Sequence, residues 1–249
     1  MTTPAESPVF LLGATGGIGV ATARLLDRQG FPLTLAGRDA GKLEVLAKEL
    51  DSPQTVLCDA TDAEQVKAAY EGAVAHHGKV GGVANLVGSL VLKPAHATSV
   101  EDWRNTITLS LDSAFYLLRA CAQGMCKSGG GSVVLMSSAV GKLGFAAHEA
   151  VAAAKGGVQG LMLSAAASYA SRGLRVNCVS PGTTETPLAE PILRSEPSKK
   201  ATMAMTPDGK IGTPEAVASA IAWLLHPDQW HVTGQNIGVD GGLSSLRAK

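Results

Sequence analysis

Short runs of apolar residues alternate with longer segments of mixed polarity along the first part of the chain. Runs that are short and continuously apolar are typical of strands buried on both faces of a parallel sheet. They lie at Val9–Leu12, Leu33–Ala36, Thr55–Cys58, Val83–Val87, Val133–Met136 and Arg175–Val179. The segments of helical length between them are 17–29, 40–50, 62–77, 99–127 and 147–172. This alternation predicts an α/β fold, a doubly wound parallel sheet of about seven strands with helices on both faces.

No linker, repeat or low-complexity tract divides the sequence, so we expect one domain over residues 1–249. The regular alternation breaks between Thr184 and Thr213, where prolines and polar residues replace the apolar runs. This composition predicts an irregular segment near 184–213, either a lid over a ligand or a mobile surface loop. A last helix is expected to begin at Thr213-Pro214-Glu215, with the threonine as its N-cap.

Composition and charge exclude several classes of protein. Hydrophobic residues make up 45% of the chain and charged residues 17%, which rules out a disordered chain. The 21 basic and 21 acidic residues balance, and no basic run occurs, which argues against nucleic acid as a partner. The sequence starts without a secretory pattern and has no apolar stretch long enough for a membrane span. We therefore expect a cytoplasmic protein with a small-molecule substrate and no membrane partner.

The four cysteines give no sign of a metal site. Their spacing fits no metal-binding or redox motif, and we expect buried thiols in a reducing compartment. They are Cys58, Cys121, Cys126 and Cys178.

A glycine-rich segment follows the first predicted strand and reads Gly13-Ala-Thr-Gly-Gly17-Ile-Gly19. These glycines permit a tight turn and a close approach of the backbone to a ligand. The helix that follows offers free N–H groups and the positive end of its dipole to a pyrophosphate. A plain strand-to-helix turn is the alternative, but the position at the first crossing of a doubly wound sheet favours a dinucleotide.

The order of these and later motifs resembles the short-chain dehydrogenase/reductase family, whose members have a Rossmann fold. Asn85-Leu-Val-Gly88 is similar to its segment after the fourth strand, and Val239-Asp-Gly-Gly242 is similar to its C-terminal signature. The resemblance extends over nearly the whole chain and implies a nicotinamide dinucleotide as cofactor. The positions that it implies for binding this cofactor are Gly13, Thr15, Gly16, Gly17, Ile18, Gly19, Asp59, Ala60, Asn85, Lys155, Pro181, Gly182 and Thr186.

The residues after the second predicted strand indicate which dinucleotide is preferred. An acidic residue there would bond the ribose hydroxyls of NAD and repel the 2′-phosphate of NADP. This chain has Gly37 and then Arg38, which removes the repulsion and offers two parallel hydrogen bonds to a phosphate. A solvated surface arginine is the alternative, and Asp39 weighs against phosphate unless it caps the next helix. We expect NADP(H) to be preferred over NAD(H).

The resemblance implies a catalytic Ser, Tyr, Lys and Asn, and this chain departs from that set at two positions. Ser138 and Lys155 match, but Val151 stands where the Tyr is expected and Ser110 where the Asn is expected. The family's Tyr donates a proton to the alkoxide as hydride reaches a carbonyl carbon, and valine has no proton to donate. The interval from Ser138 to Val151 matches the family and no tyrosine lies nearby, so the substitution is not an error of alignment.

His148 is the candidate for a replacement acid. It precedes Lys155 by two helical turns, so the two side chains are expected on nearly the same face of a helix. Enoyl reductases of this superfamily resemble the layout, because their Tyr stands at that distance before the Lys. An imidazole titrates near neutral pH and can protonate an enolate or a carbonyl oxygen. A residue at the start of the helix, facing solvent or a neighbouring subunit, is the alternative.

Two functions of different classes fit these residues. The first is an NADP(H)-dependent oxidoreductase with an atypical active site of Ser138, Lys155 and His148, acting on a carbonyl or conjugated C=C bond of a small apolar substrate. The second is a pseudoenzyme that binds NADP(H) as a sensor or an assembly partner. Beside these two, a lyase or cyclase that uses the same pocket stays open as an alternative. The resemblance also implies a homotetramer or homodimer, formed through the helices near 99–127 and 147–172.

Overall fold

The computed structural model describes residues 3–246 and consists of a parallel sheet covered by helices. The strands are β1 (Val9–Leu12), β2 (Leu33–Gly37), β3 (Gln54–Leu57), β4 (Gly82–Asn85), β5 (Gly131–Met136), β6 (Leu174–Pro181) and β7 (Asn236–Val239). The helices are α1 (Gly17–Arg28), α2 (Ala40–Ala47), α3 (Ala63–His77), α4 (Val100–Ile107), α5 (Ser113–Lys127), α6 (Glu149–Tyr169), α7 (Glu190–Leu193), α8 (Glu196–Met205) and α9 (Pro214–Leu225). The predicted Rossmann-like α/β fold is confirmed.

The order of the strands, β3-β2-β1-β4-β5-β6-β7, places a change of direction at the centre of the sheet. The chain moves outward from β1 to β3 and then returns to form β4 on the other side of β1. The connections that leave β1 and β4 therefore diverge and open a crevice at the carboxyl ends of these strands. Ligands bind at such a crevice in doubly wound sheets.

Two hydrophobic layers cover the two faces of the sheet, and β1 shows how they are divided. Phe10 and Leu12 belong to the layer that α3, α5 and α6 cover, whereas Val9 and Leu11 belong to the layer under α1 and α9. All four side chains are fully buried. A strand buried on both faces needs apolar residues at successive positions, which explains its continuously apolar sequence.

The helix expected over 99–127 is interrupted. A π-helical turn at Thr108–Asp112 separates α4 from α5. At this turn the hydroxyl of Ser113 donates a hydrogen bond to the carbonyl oxygen of Leu109 at 2.7 Å, so this backbone oxygen accepts a bond from a side chain. Such turns insert one extra residue into a helix and change which side chains face the sheet. Ser110 is thereby buried.

The segment near 184–213 is more regular than predicted, because it contains α7 and α8. Proline is tolerated in the first turn of a helix, where its missing N–H has no partner to lose. Pro191 and Pro197 occupy such positions, and the hydroxyl of Ser195 caps α8 by accepting from the N–H of Ser198 at 3.3 Å. The prolines in this segment therefore start helices rather than prevent them.

Both ends of this segment meet at the sheet. Thr184 pairs with Gly212 in a short parallel bridge. The N–H of Glu185 donates to the carbonyl oxygen of Gly212, and the N–H of Gly212 donates to that of Thr183, each at 2.9 Å. The predicted start of the next helix is confirmed, since the hydroxyl of Thr213 accepts a hydrogen bond from the N–H of Ala216 at the start of α9.

Residues 3–246 contain neither a membrane-spanning helix nor a cluster of metal-binding side chains. No helix there has the length and apolar character of a membrane span. No group of three or more His, Cys, Asp or Glu side chains there is arranged to hold a metal ion. Three of the four cysteines are buried, and Cys126 is partly exposed.

Candidate functional site

The glycine-rich loop after β1 forms one wall of a cleft of about 260 Å³, which we call the glycine cleft. Gly13 has a φ of +83°, and a Cβ atom there would lie 2.9 Å from Val87 Cγ2. A Cβ atom at Gly19 would lie 2.6 Å from the carbonyl oxygen of Ala14. The first turn of α1 therefore packs against the loop at a distance that only glycine permits. The N-cap Gly16 has no side chain to cap the helix, which leaves this end to a ligand.

The remaining walls of the glycine cleft come from the ends of β2, β3 and β4. Most residues that the sequence assigned to cofactor binding line it: Gly13, Thr15, Gly16, Gly17, Ile18, Gly19, Arg38, Asp59, Ala60 and Thr186. The structure adds Gly37, which the sequence had linked to cofactor preference, and Leu86, Val87 and Gly88, which belong to the motif Asn85-Leu-Val-Gly88. It also adds Leu12, Cys58, Leu109 and Leu188, which no motif indicated. Leu109 and Leu188 lie in the π-helical turn and in the segment near 184–213, far along the chain from the glycine-rich loop, so no local pattern marks them.

Arg38 lines the glycine cleft with an exposed side chain, whereas Asp39 is engaged elsewhere. Oδ1 of Asp39 accepts a hydrogen bond from the N–H of Lys42 at 3.0 Å and so caps α2. Its Oδ2 lies 3.7 Å from Nζ of Lys42. The carboxylate of Asp39 is thus engaged by its own helix, whereas the guanidinium of Arg38 is exposed in the cleft.

Asp59 is held in the glycine cleft as an ionised carboxylate. Its Oδ1 accepts hydrogen bonds from the N–H of Thr61 at 2.9 Å and from the hydroxyl of Thr61 at 2.8 Å. These two bonds lower the pKa of Asp59, and the positive charge of Arg38 adds a smaller effect in the same direction. The carboxylate is therefore available as a hydrogen-bond acceptor at neutral pH.

Asn85 does not line the glycine cleft, in contrast to the sequence prediction. Its side chain is buried, with Nδ2 donating to the hydroxyl of Ser113 at 3.0 Å and Oδ1 accepting from the N–H of Val87 at 2.9 Å. These bonds join β4 to α5 and shape the turn at 86–88, which does line the cleft. Each end of the Asn85 amide makes one hydrogen bond in this way, and through these bonds the residue shapes the wall of the cleft.

A second cavity of about 350 Å³, the inner cavity, adjoins the glycine cleft. The two share lining residues, among them Ile18, Gly88 and Thr186. Ser138, His148 and Lys155, the predicted catalytic residues, line the inner cavity, as do Pro181 and Gly182. The structure therefore brings together in one place the side chains that the sequence singled out on three separate elements.

Ser138 stands at the end of β5, where the strand turns into a short 3-10 helix. Its Oγ accepts a weak hydrogen bond from the N–H of Val140 at 3.4 Å. An Oγ that accepts a hydrogen bond retains its own proton for donation. The partly exposed hydroxyl is therefore able to donate to an oxygen atom of a ligand in the inner cavity.

Lys155 lies inside α6 and is only 6% exposed. Its Nζ donates a hydrogen bond to the carbonyl oxygen of Met136 at 2.8 Å. Burial lowers the pKa of Lys155 to about 8. An ammonium group has two further protons to donate, and this one lines the inner cavity.

Val151 occupies the position one turn before Lys155 on α6. Its side chain is 3% exposed and lines the inner cavity. An apolar surface therefore replaces the proton donor that the resemblance leads one to expect there. Ser110, at the position expected for the Asn, is buried and accepts a hydrogen bond from the N–H of Ser89 at 3.4 Å. Ser89 lines the inner cavity and was not indicated by any motif.

His148 is not part of a helix, in contrast to the sequence argument. It is the N-cap of α6, with φ −119° and ψ 14°, because α6 begins at Glu149. The helical spacing from Lys155 therefore does not apply, although both residues line the inner cavity. Nδ1 of His148 lies 2.7 Å from the carbonyl oxygen of Ala146. A carbonyl oxygen can only accept, so Nδ1 carries the proton and Nε2 is the nitrogen left for a ligand.

Comparisons with known proteins identify the family of the chain. A family model described as enoyl-(acyl carrier protein) reductase matches residues 13–244. The 3-oxoacyl-(acyl-carrier-protein) reductase of Thermotoga maritima is 34% identical over 243 residues, which cover 96% of this chain and 98% of that protein. The cis-4-hydroxycyclohexanecarboxylate dehydrogenase of Sinomonas cyclohexanicum is 34% identical over 247 residues, which cover 97% of this chain and 98% of that protein.

A solved structure extends the agreement to three dimensions. A short-chain type dehydrogenase/reductase from Mycobacterium ulcerans superposes with a TM-score of 0.92 at 30% identity, over 100% of this chain and 93% of that chain. The match therefore includes the sheet, the glycine cleft and the segment that carries α7 and α8. Together with the family model and the relatives, it shows that this chain belongs to the short-chain dehydrogenase/reductase family of oxidoreductases.

Proposed function

We propose that this chain is an NADP(H)-dependent oxidoreductase with an atypical active site, acting on a carbonyl or conjugated C=C bond of a small apolar substrate. The observation that carries the proposal is that the glycine cleft opens into the inner cavity through shared residues such as Ile18 and Thr186. A dinucleotide whose pyrophosphate bound the glycine-rich loop would extend toward Ser138, His148 and Lys155. When bound, the cofactor supplies or accepts the hydride.

The choice of NADP(H) rests on the end of β2. Gly37 presents no carboxylate to a 2′-phosphate, and Arg38 offers a guanidinium that binds phosphate through two hydrogen bonds. Asp39, which follows Arg38 directly, would oppose this choice, and its oxygens are turned to Lys42. Thr15 lies beside Gly37 and adds a hydroxyl to this end of the cleft.

Lys155 serves the cofactor and the substrate in different ways. The resemblance assigns it to the ribose next to the nicotinamide, and such a bond uses the ammonium protons that Met136 leaves free. Its positive charge also stabilises negative charge that develops on a substrate oxygen in the inner cavity. Neither role requires a tyrosine at the position of Val151.

His148 supplies the proton in this proposal. Its Nδ1–H is fixed on the carbonyl oxygen of Ala146, so a second proton on Nε2 would be transferable to a substrate oxygen. Ser138 orients that oxygen through its hydroxyl. Hydride addition to a conjugated C=C bond leaves an enolate, which needs a weaker acid than an alkoxide does. A site without tyrosine therefore fits enone substrates better than simple ketones.

The lining of the inner cavity supports an uncharged apolar substrate. His148 and Lys155 are its only titratable side chains among the described residues, and neither an acid nor an arginine is present to bind a charged group. Aliphatic and aromatic side chains form most of the remaining wall: Leu90, Leu92, Phe145, Leu188, Ile192, Met205 and Leu243. Three of these belong to the segment of α7 and α8, which would act as a lid over the substrate.

Cofactor binding is tested by titrating the purified chain with NADPH and, separately, NADH, and following the fluorescence of the dinucleotide. We expect tight binding of NADPH and weak binding of NADH. Arg38→Leu should remove most of this difference by weakening NADPH alone. Absence of binding to either dinucleotide would overturn the proposed function.

Turnover is tested with a panel of enones and ketones, following the loss of NADPH absorbance. His148→Ala should lower kcat by about 10²-fold or more without weakening NADPH binding. Lys142→Ala is a matched control, because Lys142 is an exposed residue that does not line the inner cavity. Full activity in His148→Ala would remove that residue from the proposal.

A pseudoenzyme that binds NADP(H) as a sensor or assembly partner is the second candidate. Val151 and Ser110 favour it, because the chain lacks the family's tyrosine and asparagine while the glycine cleft retains its form. Both the oxidoreductase and the pseudoenzyme require NADPH binding, so the two candidates differ only in whether a substrate is turned over. Val151→Tyr distinguishes them, because it supplies the missing proton donor.

We also propose that the chain forms a homotetramer or homodimer through α4, α5 and α6. Trp103, Phe115 and Leu163 lie on these helices with between 42% and 57% of their surface exposed. Large apolar side chains on neighbouring helices are costly to leave in water. Light scattering coupled to gel filtration measures the assembly directly, and a monomer at micromolar concentration would contradict this part of the proposal.

A further inference from the structure

Ala147 has a backbone conformation that alanine rarely adopts. Its φ is +60°, in the left-handed region, and the only other non-glycine residue of residues 3–246 with a positive φ is Ser52. A Cβ atom makes this region unfavourable, and residues held there cluster at functional sites. Ser52 lies in an exposed turn between α2 and β3, whereas Ala147 directly precedes His148.

The left-handed residue decides how the imidazole of His148 is held. Ala147 reverses the chain between Ala146 and His148, which brings the carbonyl oxygen of Ala146 within 2.7 Å of Nδ1. The ring of Phe145 packs against the imidazole with 5.6 Å between the ring centres. Ala146 and Phe145, which make these two contacts, lie just before the turn. With Ala147 in an extended conformation, both residues would lie farther from the imidazole of His148.

The surroundings leave His148 few other contacts that would orient it. Lys155 is the other titratable residue of the inner cavity. Glu149, which follows in α6, and Lys142, at the start of the loop before it, are exposed and do not line this cavity. His148 also has no side-chain cap interaction with α6. Its orientation therefore depends on the turn at Ala147.

We infer that Ala147 is a positioning residue, whose left-handed backbone fixes the Nδ1–H tautomer of His148 and leaves Nε2 for the substrate. This inference rests on the proposed function, in which His148 donates the proton. It predicts that the backbone preference of residue 147, rather than the chemistry of its side chain, controls catalysis. Residues that tolerate a positive φ should preserve activity, and β-branched residues should not.

The experiment compares Ala147→Gly, Ala147→Asn and Ala147→Val with His148→Ala in the full chain. Glycine and asparagine adopt the left-handed region readily, so these variants should keep the wild-type kcat and pH profile. Ala147→Val should lower kcat by about tenfold or more and give the pH profile of His148→Ala, with NADPH binding unchanged. If His148→Ala loses activity, a wild-type kcat and pH profile in Ala147→Val would overturn the inference, and so would a loss of activity in Ala147→Gly as large as that in Ala147→Val.

A second readout does not depend on turnover. Nitrogen-15 NMR of labelled histidine distinguishes the two tautomers of a neutral imidazole. We expect the Nδ1–H tautomer at His148 in the wild type and in Ala147→Gly, and a mixture of tautomers in Ala147→Val. A wild-type tautomer in Ala147→Val would overturn the inference. If His148→Ala keeps full activity while the tautomers behave as expected, the proposed acid fails and the positioning by Ala147 stands.

Discussion

Nζ of Lys155 lies 2.8 Å from the carbonyl oxygen of Met136 and joins the middle of α6 to the last residue of β5. This bond crosses from the helical layer to the carboxyl edge of the sheet, beside the inner cavity. The ammonium group of Lys155 is therefore buried, and the carbonyl oxygen of Met136 is the acceptor identified for it. The folded state therefore bears a free-energy cost whenever Lys155 is protonated.

Lys155→Met should change the pH dependence of stability. The folded pKa of about 8 lies below the value of 10.5 expected for an unfolded chain, so the unfolded state holds more protons between these values. The free energy of unfolding of the wild type should therefore rise with pH over that range, by up to about 3 kcal/mol from this group. Lys155→Met should lack this rise.

Denaturant unfolding of both proteins at pH 7, 8, 9 and 10 measures the effect in the absence of cofactor. Arg175 and the thiols of Cys58 and Cys121 titrate in both proteins, so their effect cancels in the difference between the two stabilities. Burial raises the pKa of the Cys178 thiol and the charge of Lys155 lowers it in part, so that thiol contributes to the difference at the alkaline end of the range. A difference that stays constant across this range of pH would contradict the lowered pKa of Lys155.

Gly37→Asp should reverse the preference between the two dinucleotides. A Cβ atom at Gly37 would lie 3.3 Å from Oγ1 of Thr15, which requires only a small shift of that side chain. The new carboxylate would repel a 2′-phosphate and accept from ribose hydroxyls, so NADPH should bind about 10-fold or more weakly and NADH more tightly. Gly37→Asn has nearly the same shape without the charge and should weaken NADPH less. Equal effects of the two variants would show that size, not charge, sets the preference.

Gly19→Ala should destabilise the chain, whereas Gly16→Ala should not. At Gly19 the added Cβ would lie 2.6 Å from the carbonyl oxygen of Ala14, and backbone atoms have no room to move away. At Gly16 the nearest atom would be 3.5 Å distant, an ordinary contact. Thermal unfolding without cofactor should show a loss of about 1–3 kcal/mol for Gly19→Ala alone. Equal stability of the two variants would mean that α1 does not pack against the loop as described.

Val151→Tyr tests whether the proton donor is what limits the site. Because Val151 lines the inner cavity one turn before Lys155, a phenol there would lie beside a positive charge that favours its ionisation. We expect ketone reduction to rise by about 10²-fold or more. Val151→Phe adds the same ring without the hydroxyl and should give no increase.

The starting activity decides what the gain in Val151→Tyr means. Measurable turnover of an enone by the natural chain, with a further gain for ketones in the variant, supports the oxidoreductase. Activity that appears only in Val151→Tyr identifies the natural chain as a pseudoenzyme. An equal increase in Val151→Phe would assign the effect to the shape of the cavity.

The sheet was predictable from the sequence because its strands are buried on both faces. Such strands leave continuous apolar runs, and the predicted Val9–Leu12 coincides with β1. The glycine-rich loop was predictable for a similar reason, since close approach of backbone to backbone permits few residues besides glycine. Both features depend on local sequence, and the structure bears out both.

The parts of the site that the sequence did not predict depend on turns and hydrogen bonds that leave no recognisable pattern in the sequence. Asn85 matches a motif, yet its amide is used by Ser113 and Val87 and does not line the cleft. His148 was placed by helical spacing, but α6 starts one residue later because Ala147 turns the chain. The π-helical turn that buries Ser110 likewise follows from bonds that no spacing rule indicates.

The bridge between Thr184 and Gly212 makes residues 185–211 a unit whose two ends are adjacent, and the N–H of Asp208 joins this unit to the carbonyl oxygen of Gly241 as well. Since its two ends are already adjacent, lengthening or exchanging the unit adds little loop-closure entropy and leaves the strand pairing untouched. Selection on substrate range is therefore free to act on residues 189–211, while Thr186 and Leu188, which line the glycine cleft, stay in place. Transplanting residues 189–211 between relatives that share the bridge should transfer substrate choice without transferring cofactor choice.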